Sequence, residues 1–212
     1  MISIVIPSLL GYKELNEQCI ESYVETSAPG DKIEFLLIEK NRSFALNVNE
    51  GLKKAQGDHI LISNNDVKAL PNWSRWIQSV PDNRIATLAP TAQCGWGYSF
   101  HQNLLDKIGM MDETLVNSYE DYDFYIRAAL EGIGRIMAHR IYAIHEGGVT
   151  LNKIWGQFEM RSSERMNQCN ANRAYMLKKW PGLNIDAVPT PYWVVNGFKI
   201  MAEWVKTNRV RA

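Results

Sequence analysis

Three short apolar runs divided by two helical stretches constrain this chain more than any other feature. Ile2-Ser3-Ile4-Val5-Ile6 is rich in β-branched residues and stops on Pro7-Ser8, as a strand does. Residues 14–27 place Ile20, Tyr23, Val24 and Ser27 on one helical face, and Pro29-Gly30-Asp31 then turns the chain. A second strand is predicted over 32–38, where Phe35-Leu36-Leu37-Ile38 is apolar on both faces, as in a sheet covered by helices on both sides. Ser43 is placed to cap a helix over 44–55, with Phe44, Val48, Leu52 and Ala55 at helical spacing and Gly57 as its stop. A third strand follows at 59–63. This order predicts an α/β protein with a mostly parallel central sheet. Such sheets take ligands beyond the carboxyl ends of their strands.

The third run ends at that edge on Asn64-Asn65-Asp66. Side chains alternate along a strand, so Asn64 and Asp66 can point the same way. Oxygen-bearing groups at that spacing suit a hard cation such as Mn²⁺ or Mg²⁺ beside a phosphate-bearing ligand. A loop aspartate that caps the next helix, or closes an Asx-turn, is the alternative for Asp66.

Downstream, helices are predicted at 71–80, 103–108 and 120–131, and strands at 85–89, 95–100 and 135–144. The helix at 120–131 carries Ile126, Ala129, Leu130 and Ile133 as its apolar stripe. It opens on Glu120-Asp121-Tyr122-Asp123. Acidic residues in a first turn complement the helix dipole. The same carboxylates, crowded together, also suit a general base whose pKa is raised by its neighbours. His145 ends the last predicted strand and is a competent ligand for Mn²⁺, or a strand-end histidine bonded to a nearby loop. His59, His101 and His139 are read as structural. Gly147-Gly148 either lets backbone approach a phosphate or turns the chain. Lys153, Arg161 and Arg165, in a helical stretch over 151–180, either neutralise a leaving diphosphate or form a solvated face.

The chain has 212 residues, 46% of them hydrophobic, enough for one α/β domain with a small appendage. Lys+Arg and Asp+Glu both number 23, which argues against a general nucleic-acid-binding surface. Cys19, Cys94 and Cys169 match no metal-ligand spacing and fit thiols in a reducing cytoplasm. Ile2–Pro7 is too short for a secretory leader, and no run is long enough to span a bilayer. A cytoplasmic protein is expected, free or peripheral to a membrane. The tail over 181–212 carries Trp193, Phe198, Met201 and Trp204 on a predicted helix. Those aromatics suit core cover, a homodimer contact or contact with a membrane surface.

Taken in order, these pieces resemble glycosyltransferase family 2, and its rhamnosyltransferase-like members in particular, over about residues 2–180. The similarity lies in Ile2–Pro7, in Asn41–Leu52 with Ala55–Asp58, and in Ile60–Asp66 as a variant DxD strand. It continues through Ile108–Glu113, Tyr119–Phe124 with Arg127, and His145 with Gly147-Gly148. The resemblance implies a GT-A fold: a Rossmann-like domain over 1–180 with a helical C-terminal extension. It implies an inverting, metal-dependent transferase that takes a nucleotide-sugar donor and a glycan, lipid-linked or other hydroxyl acceptor. Asp66 and His145 would hold Mn²⁺ or Mg²⁺, with Asn64 assisting. Asp121 would be the base, and Glu120 would position the acceptor. Pro7, Glu39, Asn41, Asn49, Asn64 and Asn65 would lie along the donor.

Two departures from that pattern stand out. The segment after the second strand, usually rich in Asp, is shortened to Ile38-Glu39-Lys40 before Asn41, and the first DxD position is Asn. They motivate a second expectation, a nucleotide-sugar-binding protein that has lost turnover. A nucleotidyltransferase is disfavoured, because Leu9-Leu10-Gly11-Tyr12-Lys13 is not a Gly-rich basic loop.

Overall fold

The computed structural model describes residues 1–90, 95–147 and 163–182. Strands β1 (Ile2–Ser8), β2 (Ile33–Glu39) and β3 (His59–Ser63) alternate with helices α1 (Lys13–Thr26) and α2 (Phe44–Lys54), as the periodicity predicts. Ser43 caps α2 by accepting from the Leu46 N–H. Next come β4 (Val67–Ala69), α3 (Trp73–Gln78), β5 (Arg84–Thr87), β6 (Gly97–His101), α4 (Leu104–Ile108) and α5 (Glu120–Leu130). Strands β7 (Gly134–Ile136) and β8 (Ala143–His145) and helix α6 (Ser163–Lys179) complete the described chain.

Six strands form one sheet in the order β2-β1-β3-β6-β5-β7. The pairs β1–β2, β1–β3 and β5–β7 are parallel, while β6 runs antiparallel to both β3 and β5. Both faces are covered. Val5, Ile60 and Ile62 pack with α2, α4 and α5 on one side. Ile4, Ile6 and Leu61 pack with α1 and α3 on the other. The period-two split of each run between two cores is why these strands read as continuously apolar.

Three expectations are corrected. The run Phe35–Ile38 is not sandwiched: β2 is an edge strand, half-buried, with Leu37 exposed. The predicted strand over 135–144 is two strands in different sheets. Between them the chain leaves the sheet, because Tyr142 stacks on Trp76 at 5.6 Å and its N–H donates to the Leu88 carbonyl. The deepest face of α5 is Phe124, Tyr125 and Ala128, whereas Ile126 turns to a third cluster with Leu115 and Met176. That helix is buried on two sides, so a single stripe could not describe it.

The predicted tail beyond Gly182, Cys94, Gly148, Lys153 and Arg161 lie outside the described residues. Among the described residues, no helix is long and apolar enough to cross a membrane. Cys19 and Cys169 are both free thiols.

Gly57 does more than stop a helix. A Cβ there would lie 2.7 Å from the Ser3 backbone nitrogen and 2.8 Å from the Met1 carbonyl oxygen. Its N–H donates to Ser3 Oγ at 2.7 Å, which closes the start of β1 against the approach to β3. Gly57→Ala must push backbone from backbone, so it should lower the unfolding free energy by about 1–3 kcal/mol, as measured by urea denaturation.

Candidate active site

The geometry of the site starts with strand β4, which sequence periodicity does not reveal. Val67-Lys68-Ala69 is only three residues long, with an exposed lysine between two buried apolar residues. It pairs antiparallel with β8 in the register Val67↔His145, and the Glu146 N–H donates to the Asp66 carbonyl at 3.1 Å. This ladder lays Asp66 beside His145. His145 Nε2 is 3.0 Å from Asp66 Oδ1 and 3.3 Å from Asn64 Nδ2. Asp66, Asn64 and His145 therefore converge, although residues 64–66 form a turn between β3 and β4 and not the strand end whose alternation was expected to align 64 with 66. Cys19 Sγ donates to the Asn64 carbonyl at 3.5 Å and holds the turn to α1.

These donors fit a hard divalent cation. Asp66 is buried, and Asn64 carries a buried amide oxygen without a hydrogen-bond partner. Asp66 Oδ1 and His145 Nε2, 3.0 Å apart, would offer such an ion one carboxylate oxygen and one imidazole nitrogen. Among the described residues no group of three or more His, Cys, Asp or Glu gathers to hold an ion, so the set is one carboxylate, one imidazole and one amide.

Asp121 and Glu120 open α5 and are both buried. Burial raises the Glu120 pKa, and the neighbouring Asp121 charge raises it further, against the lowering effect of N–H groups from Ser118 and Glu120 itself. Burial also raises Asp121, opposed by the Tyr122 N–H at 2.9 Å and by the Arg135 charge. Glu120 Oε2 is buried without a hydrogen-bond partner. Asp123, the third acid of the run, is instead paired: Arg127 and Lys179 reach it, both at 2.8 Å.

The two halves of the site meet at Gly95-Trp96. A Cβ on Gly95 would lie 3.3 Å from Asp121 Oδ2. The next residue, Trp96, stacks flat on the His145 ring with centroids 5.1 Å apart, and its carbonyl accepts from the Asn64 N–H at 2.9 Å. The Asp121 carboxylate and the His145 imidazole thus flank one dipeptide. Trp96 was not legible as a site residue. Its only signal is an aromatic between two glycines, Gly95-Trp96-Gly97, which reads as a flexible strand end.

The remaining predicted residues are dispersed. Pro7 is buried within β1. Asn65 Nδ2 donates to Ser8 Oγ at 3.1 Å and to Asn16 Oδ1 at 2.9 Å, where a second buried amide appears that sequence reasoning did not single out. Glu39 ends β2. Asn41 Oδ1 accepts from the Leu10 N–H at 3.1 Å and ties the loops after β1 and β2 together. Asn49 is buried in α2 and bonds the Met111 backbone through both ends of its amide, each at 2.9 Å. Gly147 has φ +77 and follows the ladder directly. Arg165 lies in the first turn of α6. A cavity of about 270 Å³ between α1 and β4 is bordered by Asn65, Asp66, Lys68 and Glu146, on the side of Asp66 where Asp121 contributes no lining.

No family model and no curated protein sequence matches this chain. Solved structures do. The catalytic domain of Drosophila β1,4-galactosyltransferase 7, in complex with xylobiose, is similar with TM-score 0.62 and 13% identity over 82% of this chain and 80% of that one. A mannosyltransferase of Pyrobaculum calidifontis, in complex with GDP-Man and Mn²⁺, is similar with TM-score 0.56 and 13% identity over 99% of this chain and 86% of that one. Staphylococcus aureus TarS is similar with TM-score 0.54 and 11% identity over 97% of this chain and 50% of that one. The fold is of the GT-A type. At such identities the likeness speaks to architecture, and the chemistry rests on the side chains.

The raised carboxyls have a consequence for stability. The folded protein keeps them protonated to higher pH than the unfolded chain, so their contribution is intact at acid pH and is lost as pH rises through their folded range. Glu120→Gln removes one of these titrations. The stability of that variant relative to the parent should grow between about pH 5 and about pH 9, by at most about 1.4 kcal/mol per pH unit, in denaturant titrations.

Proposed function

We propose that this protein is an inverting, metal-assisted glycosyltransferase that moves a sugar from a nucleoside diphosphate sugar to an acceptor hydroxyl. The observation that carries this reading is the meeting of the Asp66–His145 pair and the buried Asp121 carboxylate on either side of Gly95-Trp96. A transferase of this class needs both: one group that accepts a proton from the nucleophile and one that answers the charge of the leaving diphosphate. The similar structures include a galactosyltransferase 7 mutant in complex with manganese, UDP-Gal and xylobiose, and the mannosyltransferase with GDP-Man and Mn²⁺. They support this donor class on this fold.

In this reading Asp121 accepts the proton of the acceptor hydroxyl as the oxygen forms a bond to the anomeric carbon. The bond from that carbon to the diphosphate oxygen breaks with its electron pair, and attack from the opposite face inverts the centre. Burial raises Asp121 towards neutrality, which makes it a stronger base than a solvated carboxylate. Glu120, higher still and beside it, orients the acceptor. A divalent ion, Mn²⁺ or Mg²⁺, held by Asp66 and His145 with Asn64, would supply Lewis-acid stabilisation of the departing diphosphate. Trp96 keeps the His145 ring in plane for that role. Asn65 anchors the turn that carries Asp66 to Ser8 at the end of β1. The donor is a hexose or deoxyhexose nucleotide, and the acceptor a glycan, a lipid-linked saccharide or another hydroxyl compound.

One observation favours a second reading, a nucleotide-sugar-binding protein without turnover. Only Lys40–Ser43 separates β2 from α2, and its side chains are engaged: Asn41 with Leu10, and Lys40 and Arg42 with Glu50. That leaves little chain for gripping a nucleobase.

Two experiments separate these readings. A thermal-shift screen of nucleotide-sugars should find a donor that stabilises the protein with Mn²⁺ present and not without it, since a ligand of the folded state raises apparent stability. His145→Ala should abolish the metal-dependent part of that shift. With the donor so identified, Asp121→Asn should lower kcat for transfer by about 10²–10⁴-fold while donor binding persists. Wild-type turnover in that variant removes Asp121 as the base, and binding without transfer or donor hydrolysis across many acceptors favours the second reading.

A further inference from the structure

The segment leading into the carboxylate pair adopts a costly backbone. Asn117 (φ 53) and Tyr119 (φ 69) are both in the left-handed region, and neither is glycine. Such residues persist where surrounding contacts over-determine them, and they cluster at functional sites. Tyr119 immediately precedes Glu120, so its conformation sets the angle at which α5 begins and presents Glu120 and Asp121.

One side chain grips both of the strained peptides. Asn172, on α6, is only 3% exposed. Its Nδ2 donates to the Val116 carbonyl at 3.0 Å and to the Ser118 carbonyl at 2.9 Å, and lies 2.7 Å from Ser118 Oγ. The Val116 carbonyl belongs to the peptide entering Asn117, and the Ser118 carbonyl to the peptide entering Tyr119. Its Oδ1 accepts from Gln168 Nε2 at 2.9 Å, so the amide is held from behind. An asparagine amide carries two N–H donors and one acceptor, and all are used here.

The helix that carries it has a separate anchor. Lys179 pairs with Asp112 at 2.6 Å and with Asp123 at 2.8 Å. Tyr175 OH donates to Asp112 Oδ2, and Trp180 Nε1 to Asp123 Oδ1. Met176 is buried with Leu115 and Ile126. Removing the Asn172 amide therefore leaves the docking of α6 in place.

We infer that Asn172 is a positioning residue for the Glu120–Asp121 pair: by fixing the Val116 and Ser118 carbonyls it holds the left-handed turn that aims both carboxylates. This assignment rests on the function proposed above only in what it says about turnover. The link to the pair is short, since Ser118 lies two residues before Glu120 and the nearness of its N–H lowers the Glu120 pKa. The other charges near the pair are Arg135 of β7, beside Asp121, and Asp123 of α5, which Arg127 and Lys179 neutralise.

The test uses the full chain with ¹³C-labelled carboxyl groups. In Asn172→Ala the Glu120 resonance should titrate at a pH higher by about half a unit or more, because the Ser118 N–H is no longer held near its carboxyl. With an active donor, kcat should fall by about tenfold or more while the donor KM stays within about threefold, as expected when alignment is lost and binding is kept. A folded Asn172→Ala protein with parental titration and parental kcat overturns the assignment. Should that variant not fold, Gln168→Met, which frees the amide from behind, must shift the titration in the same direction, and an unchanged titration there overturns it equally. If no nucleotide-sugar supports transfer in the parent protein, the glycosyltransferase reading fails, while the titration still decides the role of Asn172.

Discussion

The site depends on a two-stranded ladder. Strands β4 and β8 share only three residue pairs, yet their register is what sets Asp66 against His145. A one-residue slip would turn the imidazole to the opposite face. The slip is opposed on both sides. Val67, Ala69 and Ala143 are buried in the core beside α1 and α3, and Leu70 donates its N–H to the Tyr142 carbonyl just beyond the paired residues. The ladder also explains the break between β7 and β8. The chain must leave the central sheet after Ile136 to reach β4, and the stack of Tyr142 on Trp76 fixes where it crosses.

The antiparallel strand β6 brings in the second half of the site. In a wholly parallel sheet, the residues entering this strand would lie at the opposite edge from Asn64. Because β6 runs against β3, with Ser63 opposite Gly97, the residues just before it sit at the carboxyl end of β3. That places Trp96 on His145 and Gly95 on Asp121. The lack of a side chain at Gly95 allows the buried carboxylate its close approach.

How much of this was legible from sequence follows from range. The types and order of the elements through His59–Ser63 are as expected, although α1 buries Asn16, Cys19, Ser22 and Tyr23 and leaves Val24 exposed. The convergence of Asn64, Asp66 and His145 was legible only as an order of motifs, since the ladder that causes it is too short to leave a periodic signature. The crowding of Glu120 and Asp121 was legible from their adjacency. The pairing of Asp123 with Arg127, four residues on in the same helix, is a local pattern, but its second partner Lys179 lies far along the chain and has none. Asn49 reads like a polar residue on a helix near the site, yet it is spent on the Met111 backbone, and only tertiary structure decides between those roles. Trp96 carried no usable signal because a stack on a distant histidine has no local pattern.

A chemical regularity runs through the unpredicted contacts. Beyond the strand ends, backbone N–H and C=O groups lose their ladder partners and must find others when buried. Here asparagine amides meet that need repeatedly. Asn47 Nδ2 donates to the Ser8 and Lys40 carbonyls, Asn49 bonds Met111, Asn117 Oδ1 accepts from the Phe44 N–H, and Asn172 holds Val116 and Ser118. One amide offers donors and an acceptor together, so it can join two loops that approach from different directions. Each such bond contributes only about 1 kcal/mol net, but leaving its buried backbone partner unsatisfied costs about 1–3 kcal/mol. The asymmetry makes these cross-links stiff: a loop that moves loses more than the bond was worth. A sheet edge stitched this way can keep a carboxylate pair, an imidazole and an indole in fixed relation although the segments that carry them are short.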